Sequence, residues 1–479
     1  MEWLGAAWFG SADYQVARFV LQRGIAAIYM IAFISSALQF PALLGERGLL
    51  PVPRYVAGVR RTPGPTLFSR HYSDALLRTV AWTGVVLGAS VVLGLPQQGP
   101  PWMPMVVFLS LWLLYMSIVN VGQVFYGFGW EILLLEAGFL AAFLGSNQTT
   151  TPVITIWLLR WLVFRLEFGA GMIKLRGDGA WRDLTALYYH HETQPMPNPL
   201  SWWFHHLPKP LHKVEVVGNH FAQLIVPFLL FAPAPIATWA AAVVIVTQCW
   251  LLLSGNFAWL NAVTVVLAFS AVSLPDATWP AVPGSSGTEV PGMPFWFAGV
   301  VLAVGALMLV LSWWPLKNLF SRNQIMNGSF NRWRLGNAYG AFGSITRDRH
   351  EVVVEGWDGR TWREYGFHGK PGDPARLPRQ FAPYHLRLDW MMWFLALGQP
   401  GMGWFLPFLG KLLAADQATL KLLRHDPFGG QAPLQLRARV FAYRYTSWRE
   451  WRATGAWWVR EPLGMLVPPI GAGPPTPES

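Results

Sequence analysis

A chain of 479 residues with only one cysteine, Cys249, cannot form an intramolecular disulfide, a dithiol redox couple or a thiolate metal cage. Any part it plays in protein maturation therefore runs by a route other than thiol exchange within the chain. Charge is scarce too: Asp, Glu, Lys and Arg make up 13%, about half the share of an ordinary soluble domain. There is no Lys/Arg-rich run and no nucleic-acid-binding motif. The net charge of +11 therefore points to anionic headgroups and membrane topology and not to nucleic acid. The opening stretch MEWLGAAWFGSADYQ lacks the basic region and small-residue cleavage site of a signal peptide, so the first apolar run is expected to insert and stay.

What the chain has is hydrophobicity. Apolar residues make up 53%, with 28 Trp and 30 Phe, and the mean hydropathy is +0.32. Aromatic side chains of this kind collect at bilayer interfaces. Long apolar runs at Ala17–Phe40, Ala75–Leu95, Met103–Val121, Phe128–Gly145, Val153–Ile173, Val216–Phe231, Ile236–Leu253, Phe257–Leu274 and Phe295–Trp314 predict a polytopic α-helical membrane protein with about nine transmembrane helices. The loop after the first run carries Arg47, Arg54, Arg60, Arg61 and Arg70. That after the fifth carries Arg176, Arg182, Lys209 and Lys213. Read by the positive-inside rule, their face is cytoplasmic.

Near Phe320 the pattern changes. Arg349–Phe367 reads as a strand, an Asp358-Gly359 turn and a second strand, and Leu434–Thr446 alternates as another. Leu388–Leu397 reads as an aromatic-rich helix at the membrane surface. The predicted organisation is a transmembrane domain over 1–319 that includes a polar loop at 174–215, a small C-terminal β-rich domain over 320–460, and a Pro-rich disordered tail over 461–479.

The polar stretch Arg160–Pro227 is the most informative. Arg160, Arg165, Glu167 and Lys174 sit in or at the end of an apolar helix. Ionisable groups there are expensive and face the bundle interior in pairs. Arg160 and Glu167 lie two turns apart on one face, and Glu131 and Glu136 are the expected partners from the fourth run. These groups read either as buried ion pairs that fix packing or as a functional site. Lys174, after Gly169 and Gly171, reads either as a snorkelling lysine or as a base of lowered pKa. The following loop holds Asp178, Trp181, Arg182 and Asp183, then His190, His191, His205, His206, His212 and His220. No H-x-x-x-H spacing puts two ligands on one helix face beside a carboxylate base, so no metal is expected. Pro195, Pro197 and Pro199 make this loop a stiff cap over the bundle.

At these residues the chain resembles the lipase maturation factor family. The likeness runs through KLRGDGAWRDLTALYYHHETQPMPNP (Lys174–Pro199), FYGFGWEILLLEAGFLAAF (Phe125–Phe143), NHFAQLIVPFLLF (Asn219–Phe231), LLSGNFAWLN (Leu252–Asn261), NAYGAFG, EVVVEGWDGRTW, KPGD and RLDWMMWFLALG. It covers nearly the whole chain. It implies a multi-pass integral membrane protein that assists folding of secreted clients such as lipases. Membrane lipid and client proteins would be its partners. Asp178, Trp181, Arg182, Asp183, His190, His191, Glu192, Gln194, Asn198 and His220 are the candidate client-binding residues. Animal members sit in the endoplasmic reticulum membrane. The Arg-, Ala-, Gly- and Pro-rich composition here suggests a bacterial inner membrane, with the cap on the periplasmic face where the raw charge bias says cytoplasmic. The membrane part is also similar to the vitamin K-dependent γ-carboxylase. That likeness implies Lys174-Leu175 as a base motif and a quinone-like ligand, with no cofactor established. The chain reads Gly129-Trp130-Glu131 in place of that enzyme's Asn-His pair. Three readings follow: a maturation factor, an enzyme using Lys174 on a quinone-like or lipid substrate, and a transporter.

Overall fold

The computed structural model describes residues 9–60, 62–274, 292–398 and 403–471. Arg61, the stretch ahead of Phe295 and the last residues of the tail lie outside them. The principal helices of the membrane part are α1 (Gln15–Leu44), α2 (Asp74–Val92), α3 (Trp102–Val119), α4 (Gly129–Ala141), α5 (Val153–Arg176), α6 (Leu187–Thr193), α7 (Lys209–Leu224), α8 (Ala234–Ser254), α9 (Leu260–Ala268) and α10 (Phe295–Phe320).

Five helices among the described residues, α1, α2, α3, α8 and α10, are long and apolar enough to cross a membrane. The expectation of about nine is met at these five, and the other four runs differ from them. The Phe128–Gly145 run holds α4, of 13 residues, about 20 Å at 1.5 Å per residue and too short for about 30 Å of hydrocarbon. Every residue of α4 is buried. Apolarity on all sides marks a core helix as well as a span, which is why the sequence reads as one. The Val216–Phe231 run is the end of α7, which stops before Pro227. The Phe257–Leu274 run is the short α9 and a following turn. α5 has the length, 24 residues, but it carries Arg160, Arg165, Glu167, Lys174 and Arg176 and is not among the five apolar helices.

α1 is the axis of the bundle, packing on α2, α4 and α9. Tyr29 on α1 reaches the Leu134 carbonyl of α4 at 3.0 Å. α2 starts where Ser73 Oγ accepts from the Leu76 amide at 3.1 Å, an N-cap that satisfies a donor the helix leaves open.

The C-terminal part contains β1 (Arg349–Trp357), β2 (Trp362–Glu364), α11 (Arg387–Ala396), α12 (Phe405–Leu413), β3 (Gln435–Tyr445) and β4 (Trp458–Gly471). Its sheet is antiparallel, in the order β2-β1-β3-β4, with Trp357 opposite Trp362 and Val352 opposite Val440. The Asp358-Gly359 turn forms as expected. Asp358 Oδ1 accepts from the amides of Arg360 (2.8 Å) and Thr361 (2.7 Å), and Gly359 takes φ +96°, a conformation that favours glycine.

One further expectation changes. The Pro-rich tail from 461 is β4 as far as Gly471, paired with β3 through bulged register shifts. Proline is tolerated on an edge strand, and β4 is one. α11 also packs into the protein: its first half is buried, and Trp390 packs 4.8 Å from Trp130 of α4. The sheet region and the bundle are therefore interlocked.

Candidate functional site

A cavity of about 1110 Å³ opens into the bundle beside α5, between α7 and α8. Its apolar rim includes Leu211, Phe221 and Val246, all exposed. Gly218 also lines it, and a side chain there would enter open space.

The cavity's polar wall is a continuous hydrogen-bonded chain. Lys174 Nζ donates to Asn219 Oδ1 (2.8 Å) and Gln223 Oε1 (2.9 Å), both on α7. Gln223 Nε2 donates to Glu167 Oε2 (3.2 Å), Gln248 Nε2 to Glu167 Oε1 (2.6 Å), and Asn261 Nδ2 to Gln248 Oε1 (2.8 Å). Lys174 is thus 5% exposed and turned inward, with the Trp181 ring 4.7 Å from Nζ. It does not snorkel. Its amine donates to two amide oxygens. The two glycines explain how α5 gets so close to its neighbours. A Cβ on Gly169 would stand 2.5 Å from the Tyr339 carbonyl, and one on Gly171 would stand 2.7 Å from Leu224.

The charged residues behind the cavity sort into packing clamps. Arg165 pairs with Glu136, as the sequence suggested. Glu136 also accepts from the Asn337 side chain and Tyr339 Oη, each at 2.9 Å. Glu131 instead takes Arg387 from α11, at 2.7 Å, with both side chains fully buried, and accepts from Tyr115 Oη. Arg160 and Glu167 do not meet. Arg160 donates to the carbonyls of Ser270 (3.0 Å) and Leu230 (3.2 Å) and to Tyr14 Oη (3.1 Å), which satisfies its guanidinium without a carboxylate.

The cap residues mostly brace the cap itself. Asp178 caps a short turn through the Ala180 amide (2.9 Å) and pairs with Arg347 (2.8 Å). Trp181 Nε1 donates to the Phe342 carbonyl (2.8 Å), and His220 Nε2 sits 3.1 Å from the Trp181 carbonyl. Glu192 accepts from the Tyr445 amide of β3 at 2.7 Å, which docks the cap on the sheet. Gln194 donates to the Ser254 carbonyl (2.9 Å), and Asn198 to Gln380 (3.0 Å). Arg182 and Asp183 are exposed. They are the exposed ones among the candidate client-binding residues, and Arg182 donates to the Leu175 carbonyl at 2.8 Å.

His190 and His191 are buried side by side. Burial, helped by Lys174, pulls the His190 imidazole down to about 4. Burial and the imidazoles of His190, His212 and His205 hold His191 well below the usual range, so both rings are neutral. His191, His212 and Glu215 bring one donor atom each within 4.8 Å of one another. Sequence reading weighed His212 among the histidines of the loop but passed over Glu215. The available signal was their three-residue spacing on α7 (His212-Lys213-Val214-Glu215).

Comparison with known proteins matches residues 16–279 to the Lipase maturation factor transmembrane domain and 335–468 to the Lipase maturation factor C-terminal domain. Lipase maturation factor 1 of Bos taurus is 38% identical over 96% of this chain and 90% of its own length. The Homo sapiens protein of that name is 37% identical over 96% and 88%. Lipase maturation factor 2 of Gallus gallus is 30% identical over 96% and 82%. No solved structure matches the chain.

Proposed function

Because the chain belongs to the lipase maturation factor family, we propose that it is a membrane-bound factor that brings secreted lipases to their active form. The observation that carries this reading is the presence of both family domains, in order, in one interlocked fold. The cap and the sheet act on the client, and the bundle anchors them. The site is the inner membrane of a bacterium, with cap and sheet on the periplasmic side, where secreted proteins fold. Deleting the gene from the organism that encodes it should lower secreted lipase activity per mass of lipase severalfold, and re-expression should restore it. Unchanged specific activity of every secreted lipase would overturn the proposal. The enzyme reading gains no support, since the relatives are named as maturation factors.

In the same proposal the cavity holds an amphiphile, its polar end at Lys174 and Asn219 and its tail against Leu211, Phe221 and Val246. Membrane lipid and a quinone-like ligand share that chemistry. A pocket of several hundred Å³ or more with apolar walls and a few convergent polar groups is the usual form of such a site. Mass spectrometry of the purified protein is expected to find a retained amphiphile and to identify it. Gly218→Trp, which projects into open space, should expel it with the fold intact. Equal retention by the variant contradicts the assignment.

A further inference from the structure

Two short helices of the cap region meet where α6 crosses the start of α7. His191 comes from α6, and His212 and Glu215 come from α7. Residues three apart share a helix face, so His212 and Glu215 present their side chains together towards His191. Glu215 Oε2 stands 4.0 Å from His191 Nε2 and 3.9 Å from His212 Nδ1.

The hydrogen bonding around the trio leaves all three donor atoms free. His191 is 1% exposed, yet neither of its ring nitrogens has a hydrogen-bond partner. His212 is 2% exposed and its Nδ1 has none either. Buried polar nitrogens in native proteins are almost always bonded, so two unbonded ones, His191 Nε2 and His212 Nδ1, facing one carboxylate oxygen need a reason. The outer contacts supply one. His212 Nε2 is 3.3 Å from the His205 carbonyl. Its N–H goes there, which makes Nδ1 the lone-pair atom. Trp250 Nε1 donates to Glu215 Oε1 at 2.7 Å, and this leaves Oε2 turned to the histidines. Carbonyl and N–H partners of this kind fix the orientation of metal-binding imidazoles and carboxylates. Phe204, 5.6 Å from the His191 ring and 4.9 Å from Trp250, walls the trio with hydrocarbon.

We propose that His191, His212 and Glu215 bind a zinc-class divalent cation. Two imidazole nitrogens and one carboxylate oxygen suit zinc better than magnesium or calcium, which take oxygen donors. Donors at about 2.1 Å from a tetrahedral zinc stand about 3.4 Å apart. Glu215 Oε2 stands about half an ångström farther than this from each imidazole nitrogen, and all three donor atoms lie within 4.8 Å of one another, so rotations of the Glu215 carboxylate and of the imidazoles bring them onto one ion. Three protein donors leave a fourth position. Glu215 also lines the cavity, so the cation sits at the cavity's wall and joins the cap to α7 there. The neighbouring His205–Glu192 pair, 3.7 Å apart, is separate: Glu192 is already engaged by the Tyr445 amide.

The test uses the full chain in detergent, stripped with chelator and dialysed against zinc chloride alone. Elemental analysis is expected to find a single zinc per chain at micromolar free zinc. His212→Ala and Glu215→Gln should each weaken binding about tenfold or more, while His206→Ala, outside the trio, keeps it. Zinc should raise the unfolding temperature of the wild type and leave that of both trio variants unmoved. Because the variants are compared with the wild type in zinc-free buffer as well, a misfolded variant shows itself by a lowered zinc-free unfolding temperature, and Glu215→Gln, the mildest change, then carries the test. A wild type that binds no zinc, or variants that bind it as the wild type does, would overturn the site. The result is independent of the lipase assay, so each proposal can fail alone.

Discussion

Arg387→Met should destabilise the purified protein by about 3–5 kcal/mol, the usual cost of leaving one partner of a buried ion pair alone. Arg387 and Glu131 are both fully buried. Arg387 Nη1 donates to Glu131 Oε1 at 2.7 Å and to the Phe125 carbonyl at 2.8 Å, and its guanidinium lies 3.4 Å from the centre of the Tyr126 ring. A methionine fills part of the space and removes every one of these bonds. Glu131 is then left to Tyr115 Oη and to His385 Nδ1, 3.7 Å away. Unfolding in detergent followed by intrinsic Trp fluorescence reads the loss. The control is the double variant Glu131→Gln/Arg387→Met. It abandons no charge, so its cost should fall well short of the sum of the two single changes. Additive costs would mean that the two side chains do not act as a pair.

Arg349→Met should have an effect of similar size, about 3–5 kcal/mol, but at a different place. Arg349 stands on β1 and pairs with Glu351 (Nη2–Oε1 2.6 Å), which Lys370 also approaches at 3.0 Å. It spends its other donors on the cap: the carbonyls of Glu192 (2.8 Å), Gln194 (2.5 Å) and Pro195 (3.2 Å). The proline-stiffened segment has no regular ladder of its own, so these carbonyls depend on Arg349 for partners. Losing it should loosen the cap from the sheet while the bundle, held by Glu136–Arg165 and Glu131–Arg387, stays folded. Hydrogen exchange should rise in the amides of the cap around 192–198 and hardly change in α1 and α4. Uniform exchange across the chain would show that the arginine does not dock the cap.

How far the sequence spoke for itself depended on how local each signal was. Arg165 and Glu136 were legible because a charge inside an apolar run has few options. The Asp358-Gly359 hairpin was legible because turn chemistry is local. Arg387 was not, since it lies 256 residues from Glu131 in a segment where an arginine is unremarkable. Nothing in the apolar run of α4 separates a helix surrounded by protein from one surrounded by lipid. β4 hid behind its prolines, which edge position permits. The turning of Lys174 inward depended on Asn219 and Gln223, two amides on another helix, with no charge to advertise them.

We propose that the bundle, the cap and the C-terminal sheet act as one unit in lipase maturation. This is tested most directly by secreted lipase activity per mass of lipase in the deletion strain, with the full chain compared against a chain ending at Phe320 and matched to it in membrane level. The account predicts restoration by the full chain and none by the shortened one, which lacks Arg349 and Arg387. Equal restoration by both would contradict it.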